Sequence, residues 1–233
     1  MGLRSRSSAR SCVGAYSFLV PRYNPPVHPS SARDHLIALA VVAVVLIWSA
    51  IRPHDYFTWV LEVAPVILGA LILAALYPRF RFTRLVLALI VIHAIILMVG
   101  GHYTYARVPL FDWIRDVTGG TRNSYDGVGH FVQGFVPAMI AREVLLRRTA
   151  LQRGGWLFLI VVSICLAFSA LYELFEWGTA VASGTAAEDF LGTQGDVWDT
   201  QKDMALALIG AVSALLMLSS RQDRQLGAES SKL

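Results

Sequence analysis

Asp189-Phe-Leu-Gly-Thr-Gln-Gly-Asp-Val-Trp-Asp-Thr-Gln-Lys-Asp203 opens as a loop, with Gly192 and Gly195 at its turns, and leads straight into the apolar run Met204–Leu218. On a helix Asp196, Asp199 and Asp203 stand at i, i+3 and i+7 and form one acidic stripe. An aspartate at a helix start caps free N–H groups and suits the positive end of the helix dipole, which accounts for Asp196. Capping does not account for Asp203, which lies a turn further into a segment that otherwise belongs in lipid. A carboxylate at that depth calls for partners on neighbouring helices.

Composition sets the solvent. The 233 residues are 55% hydrophobic and only 15% charged, where a soluble domain carries about 25% charge. The apolar residues come in six runs: 36–51, 59–77, 85–100, 128–146, 156–177 and 197–218. Two are shorter than the roughly 20 residues that span a bilayer, and flanking Trp48, Tyr56, Trp59 and Tyr77 can extend them at the interface. The expected fold is all-α, a polytopic transmembrane helix bundle of about six spans over residues 35–220. A disordered basic tail over 1–34 precedes it and a short tail over 221–233 follows. Pro65 and Pro137 sit inside runs two and four, where a kink is tolerated once neighbours satisfy the freed carbonyl. Cys12 and Cys165 give neither zinc spacing nor a disulfide framework. No Walker, Rossmann, zincin or Gly-x-Ser-x-Gly pattern is present, which sets aside ATPases, dehydrogenases and serine hydrolases. Nucleic acid is not an expected partner.

Orientation follows from the basic residues. With six spans, 15 of the 20 Lys and Arg fall in the two tails and the 2–3 and 4–5 loops, which predicts that both termini are cytoplasmic. Most carboxylates then lie at the outer ends of the helices. Run four begins with Asp126 and His130 at i, i+4, and Gln133 and Gly134 continue that face. Run five ends with Tyr172, Glu173 and Glu176, and run three delivers His102, Tyr103 and Tyr105 to the same level. A carboxylate at the membrane centre costs about 2.5–3.5 kcal/mol on insertion scales. Several of them should therefore face one another, and a cation, shared protons or an outer arginine must then offset their repulsion.

Carboxylates with imidazole suit a divalent ion such as Mg, Mn, Zn or Fe. The metal-ligand candidates are His130, Glu173, Glu176, Asp196, Asp199 and Asp203, with His102 a weaker one. The candidate catalytic groups are Asp126, His130, Glu173, Glu176, Asp199 and Asp203. Each has a plainer alternative. Asp126 and Asp196 can be helix caps, and His130 can be a core histidine bonded to Glu173 or Tyr172. Glu173 or Glu176 can pair with Arg107, Arg115 or Arg122. His93 reads as a packing residue, and Gly210 with Ala214 as a close-packing seam.

Four stretches resemble the YjdF-like bacterial inner-membrane proteins: Trp48-Ser-Ala-Ile-Arg-Pro-His-Asp, Met98-Val-Gly-Gly-His-Tyr-Thr-Tyr, Gly129-His-Phe-Val-Gln-Gly-Phe-Val-Pro and Leu191-Gly-Thr-Gln-Gly-Asp-Val-Trp-Asp-Thr-Gln. The resemblance covers about residues 36–222; it implies a bacterial inner-membrane location and assigns no reaction. The chain is more loosely similar to VanZ-like membrane proteins. Asp126 and His130 match the first part of their pattern, Glu173 or Glu176 the second, and Asp199, Asp203 and Gly210 the third. Ala207 stands where that pattern has asparagine, and Glu173-x-x-Glu176 where it has Glu-x-x-Gln. This second resemblance implies a link to envelope lipids or wall precursors. The expected function is that of a metal-dependent hydrolase or transferase on an envelope lipid or wall-precursor substrate. The alternatives are a proton- or cation-coupled transporter and a non-catalytic membrane module.

Overall fold

The computed structural model describes residues 28–183, 190 and 193–227. The basic stretch over 1–27, Asp189, Gly192 and the end of the C-terminal tail lie outside the described residues. Among the described residues there are seven α-helices: α1 (Ala32–Ser49), α2 (Tyr56–Leu76), α3 (Arg84–Tyr103), α4 (Pro109–Thr118), α5 (Tyr125–Arg148), α6 (Gly155–Ser183) and α7 (Asp199–Gln225). There is no β-strand among the described residues, only an isolated bridge between Pro29 and Thr83.

Five helices, α1, α2, α3, α6 and α7, are long and apolar enough to cross a membrane. The fourth apolar run, inside α5, falls short of that standard because Asp126, Arg142, Glu143, Arg147 and Arg148 lie on the helix. The reason is its position. α5 packs against α3, α6 and α7, and of its 24 residues only Val144 and Arg148 are exposed. A helix enclosed by others needs little lipid-facing apolar surface and can carry polar groups inward.

Lipid tails are as apolar as leucine, so helices in a membrane associate through close packing and interhelical hydrogen bonds. The α5–α7 pair shows why glycine is needed. A Cβ on Gly134 would lie 1.8 Å from the Ala207 carbonyl oxygen, and one on Gly210 would lie 2.0 Å from that of Phe131. Gly210 is thus part of the expected seam, and its partner surface is the backbone of α5. One turn before Gly134 stands His130, and one turn before Ala207 stands Asp203. The same crossing that forbids side chains at the seam therefore sets His130 opposite Asp203.

At the other end a second polar network joins these helices. Arg142 donates to Gln222 Oε1 at 2.7 Å and to Asp223 at 2.8 Å, and Gln222 donates to the Met139 carbonyl at 2.8 Å. Glu143, wholly buried, accepts from the Thr83 amide, the Thr83 hydroxyl and Arg147. His28–Ser31, assigned from sequence to the tail, run along this end. The Ser30 hydroxyl donates to the Phe82 carbonyl at 2.7 Å, and Ser31 caps α1 in a reciprocal box with Asp34. Between α3 and α5 the chain forms the short amphipathic α4. Its apolar Leu110, Trp113, Ile114 and Val117 are exposed, and Arg115 pairs with Asp112 and Asp116. That is the pattern of a helix lying in a membrane surface.

Candidate functional site

The site is built where α5, α6 and α7 meet, about one to two turns below the starts of α5 and α7 at 1.5 Å per residue. Asp126 and His130 stand one turn apart on α5, and their side chains meet: His130 Nε2 is 3.4 Å from Asp126 Oδ1. The same nitrogen is 3.9 Å from Asp203 Oδ2 on α7. The opposite ring nitrogen, Nδ1, faces Glu173 Oε1 on α6 at 3.6 Å. All four residues are buried. One ligand atom from each of Asp126, His130 and Asp203 lies within 4.8 Å of the others. Asp126 Oδ2, His130 Nδ1 and Glu173 Oε1 are buried and have no hydrogen-bond partner, although buried polar atoms are ordinarily paired.

Above this cluster sits a cationic clamp. Arg122, in the turn before α5, reaches Asp199 Oδ1 at 2.6 Å, Asp196 Oδ2 at 3.2 Å and Asp126 Oδ2 at 3.5 Å. Lys202 also binds Asp196. That contact and the Trp198 amide hold the Asp196 carboxyl below the usual aspartate value of 3.8. Asn123 and Gln194 exchange amide hydrogen bonds: the Asn123 amide donates to Gln194 Oε1, and Gln194 Nε2 donates to the Asn123 carbonyl, each at 2.9 Å. The loop ahead of α7 is thereby fixed over the start of α5. Because α7 starts at Asp199, Asp196 precedes the helix, and the three-member stripe reduces to Asp199 and Asp203. Of the arginines that could pair with Glu173 or Glu176, Arg115 binds Asp112 and Asp116, and Arg122 binds Asp126, Asp196 and Asp199.

Beside the cluster lies a cavity of about 380 Å³. Asp126 and His130 line it, together with Glu176, Tyr172, Tyr105, His93 and Glu62. Glu62, on α2, is only 3% exposed and accepts from Tyr172 Oη at 3.4 Å. Like Asp203 it is a carboxylate inside an apolar run, the signal that could have found it, although its partner is 110 positions away. Tyr105 fits where it does because Gly100 and Gly129 leave room; a Cβ on either would come within 2.2 Å or 2.7 Å of its ring. His102 stands apart, with Nδ1 3.1 Å from the Ser49 carbonyl and its ring against Trp48 and Tyr103. His93 lines the cavity.

An all-helical chain with five membrane-length apolar helices and a charged cluster enclosed among them is an integral, multi-pass membrane protein. A family model described as "Predicted membrane protein (DUF2238)" matches residues 35–224, and the chain belongs to that family. Inner membrane protein YjdF of Escherichia coli (strain K12) is 48% identical over 185 residues, covering 79% of this chain and 88% of the relative. The protein is accordingly placed in the inner membrane. No solved structure matches.

Proposed function

We propose that Asp126, His130 and Asp203 hold a divalent cation, and that the protein is a metal-dependent hydrolase or transferase acting on an envelope lipid. The observation that carries this reading is the convergence of three buried ligand atoms within 4.8 Å, beside polar atoms left without hydrogen-bond partners. A cation would bind the Asp126 carboxylate more closely than Arg122 does at 3.5 Å and would offset carboxylate repulsion. His130 would bind through Nε2, with Glu173 at Nδ1 fixing ring and tautomer, as carboxylates do behind metal-bound histidines. When bound, such an ion would supply Lewis acidity toward a phosphoryl or ester oxygen and toward water. Glu176, which lines the cavity next to His130, is the group available to take up or return a proton. Asp199 and Asp196, held by Arg122, shape the rim.

With α5 counted as the sixth span, both termini lie on the cytoplasmic side, where the basic residues gather, and the cluster lies toward the outer leaflet. A non-catalytic lock would account for the Arg122 clamp, but it leaves Asp126 Oδ2, His130 Nδ1 and Glu173 Oε1 buried with contacts of 3.5–3.6 Å and no hydrogen bond. A transporter would use the same carboxylates as a proton or cation relay.

Elemental analysis of the purified full chain, beside Asp203→Asn and His130→Ala, separates these readings. The expected result is stoichiometric divalent metal in the wild type and loss of most of it in both variants, with the helical content retained. Metal-free wild type whose proton coupling disappears in Asp203→Asn would establish the relay instead. Metal-free wild type with lost stability alone would establish the lock.

A further inference from the structure

α2 and α6 are not packed as a pair. α2 rests on α3, while α6 rests on α5 and α7. The cavity fills the interval between them, with α3 and α5 behind it. A hydrogen bond crosses from α6 to α2, Tyr172 Oη to Glu62 Oε2, at the long distance of 3.4 Å. The mouth is apolar: Phe168, Leu171 and Phe175 of α6 line it and are 60%, 62% and 49% exposed on a lipid-length helix. The back is acidic, with Glu62 and Glu176 buried and no lysine or arginine among its described lining residues. His130 and Asp126, both more than nine-tenths buried, line the same cavity; their Nδ1 and Oδ2 make no hydrogen bond, with Glu173 3.6 Å from the first and Arg122 3.5 Å from the second. Pro65 and Pro137 also line it. Each removes the helical N–H donor for the carbonyl four residues earlier, which adds acceptors on these walls.

A cavity open sideways to lipid, apolar at the mouth and rich in acceptors at the back, fits an amphiphile entering from the bilayer with donor, cationic chemistry in its head. We propose that the cavity seats a lipid with an amine head, its acyl chain between α2 and α6 and its ammonium at Glu62 and Glu176. The volume lies at the low end of ligand pockets and suits a head and part of one chain. An ammonium there would relieve two buried carboxylates that have no cationic side chain beside them. It would also bring the adjoining phosphate or ester alongside Asp126 and His130. This assignment deepens the metal-site reading by naming its substrate class and rests on it for any reaction, but the binding itself needs no metal.

Native mass spectrometry of the delipidated full chain, given equal amounts of phosphatidylethanolamine, phosphatidylglycerol and diacylglycerol, tests it. The amine lipid should be retained about tenfold over the other two, and that preference should vanish in Glu62→Gln/Glu176→Gln, whose side chains keep shape but lose charge. Leu171→Trp, which fills the mouth without touching a polar group, should lower retention of amine lipid. Asp203→Asn should keep the preference even where its metal is gone, so a failed metal site and a failed lipid seat give different results. Equal retention of the three lipids overturns the proposal, as does a preference unchanged in the double variant. Displacement by soluble spermidine without any lipid retention would show a cation site alone and would also overturn it.

Discussion

Arg122 holds the rim of this site together, since three carboxylates from two chain segments converge on it. Removing one partner of a buried ion pair costs about 3–5 kcal/mol, because the other charge is left desolvated and alone. Arg122 keeps 25% of its side chain exposed, so Arg122→Gln should destabilise by less, about 1–3 kcal/mol. The measurement is thermal unfolding in detergent. Asp199→Asn placed in the Arg122→Gln background should recover part of the loss; additive losses would mean that the two do not act on each other. Asp203 was legible in the sequence because a carboxylate inside an apolar run has no local excuse. Asp126 and His130 were legible because i, i+4 spacing puts them on one helix face. The contact of Glu62 with Tyr172, and the exchange between Asn123 and Gln194, join residues far apart in sequence and left no periodic trace.

Helix crossings decide whether those residues meet. Gly134 and Gly210 let the α5 and α7 backbones touch, and a side chain at either must push the helices apart. Gly134→Val or Gly210→Leu should therefore cost more than the roughly 1–3 kcal/mol of ordinary overpacking and separate His130 from Asp203. Gly69, on α2, has nothing within 4 Å of its would-be Cβ, and Gly69→Ala should be neutral or gain up to about 1 kcal/mol in helix propensity. Equal losses at all three positions, read as unfolding midpoints, would remove the seam from the account. The apolar runs located the long helices, yet α6 and α7 continue to Ser183 and Gln225, well beyond the apolar composition that marked them. The polar end of α7 is held by tertiary partners, Gln222 and Asp223 by Arg142 and Gln225 by the Leu85 amide. α4 escaped notice because ten residues that mix Asp112, Arg115 and Asp116 with Trp113 and Ile114 never form an apolar run. Ala207 is wholly buried where its backbone meets Gly134, a crossing with little room for a larger side chain.

At the scale of the whole molecule, the chain has two polar ends joined by an apolar middle. One end is the Arg142–Glu143–Gln222 network and the other the Asp126–His130–Asp203 cluster. Basic residues gather at the first end. Arg81→Cys should accordingly be shielded from membrane-impermeant thiol reagents in intact cells, while Gly120→Cys and Thr193→Cys should be labelled. The reverse labelling would overturn the orientation, and labelling of all three would overturn the six-span count. The proposed convergence of α5 and α7 on one ion, with Glu173 of α6 behind His130, is tested most directly by pulsed electron paramagnetic resonance of the protein loaded with Mn(II). The account predicts a coupling to one imidazole nitrogen in the wild type, absent in His130→Ala and weakened or lost with the ion in Asp203→Asn. A wild-type spectrum showing only the hydrated ion, with no nitrogen coupling, would contradict it.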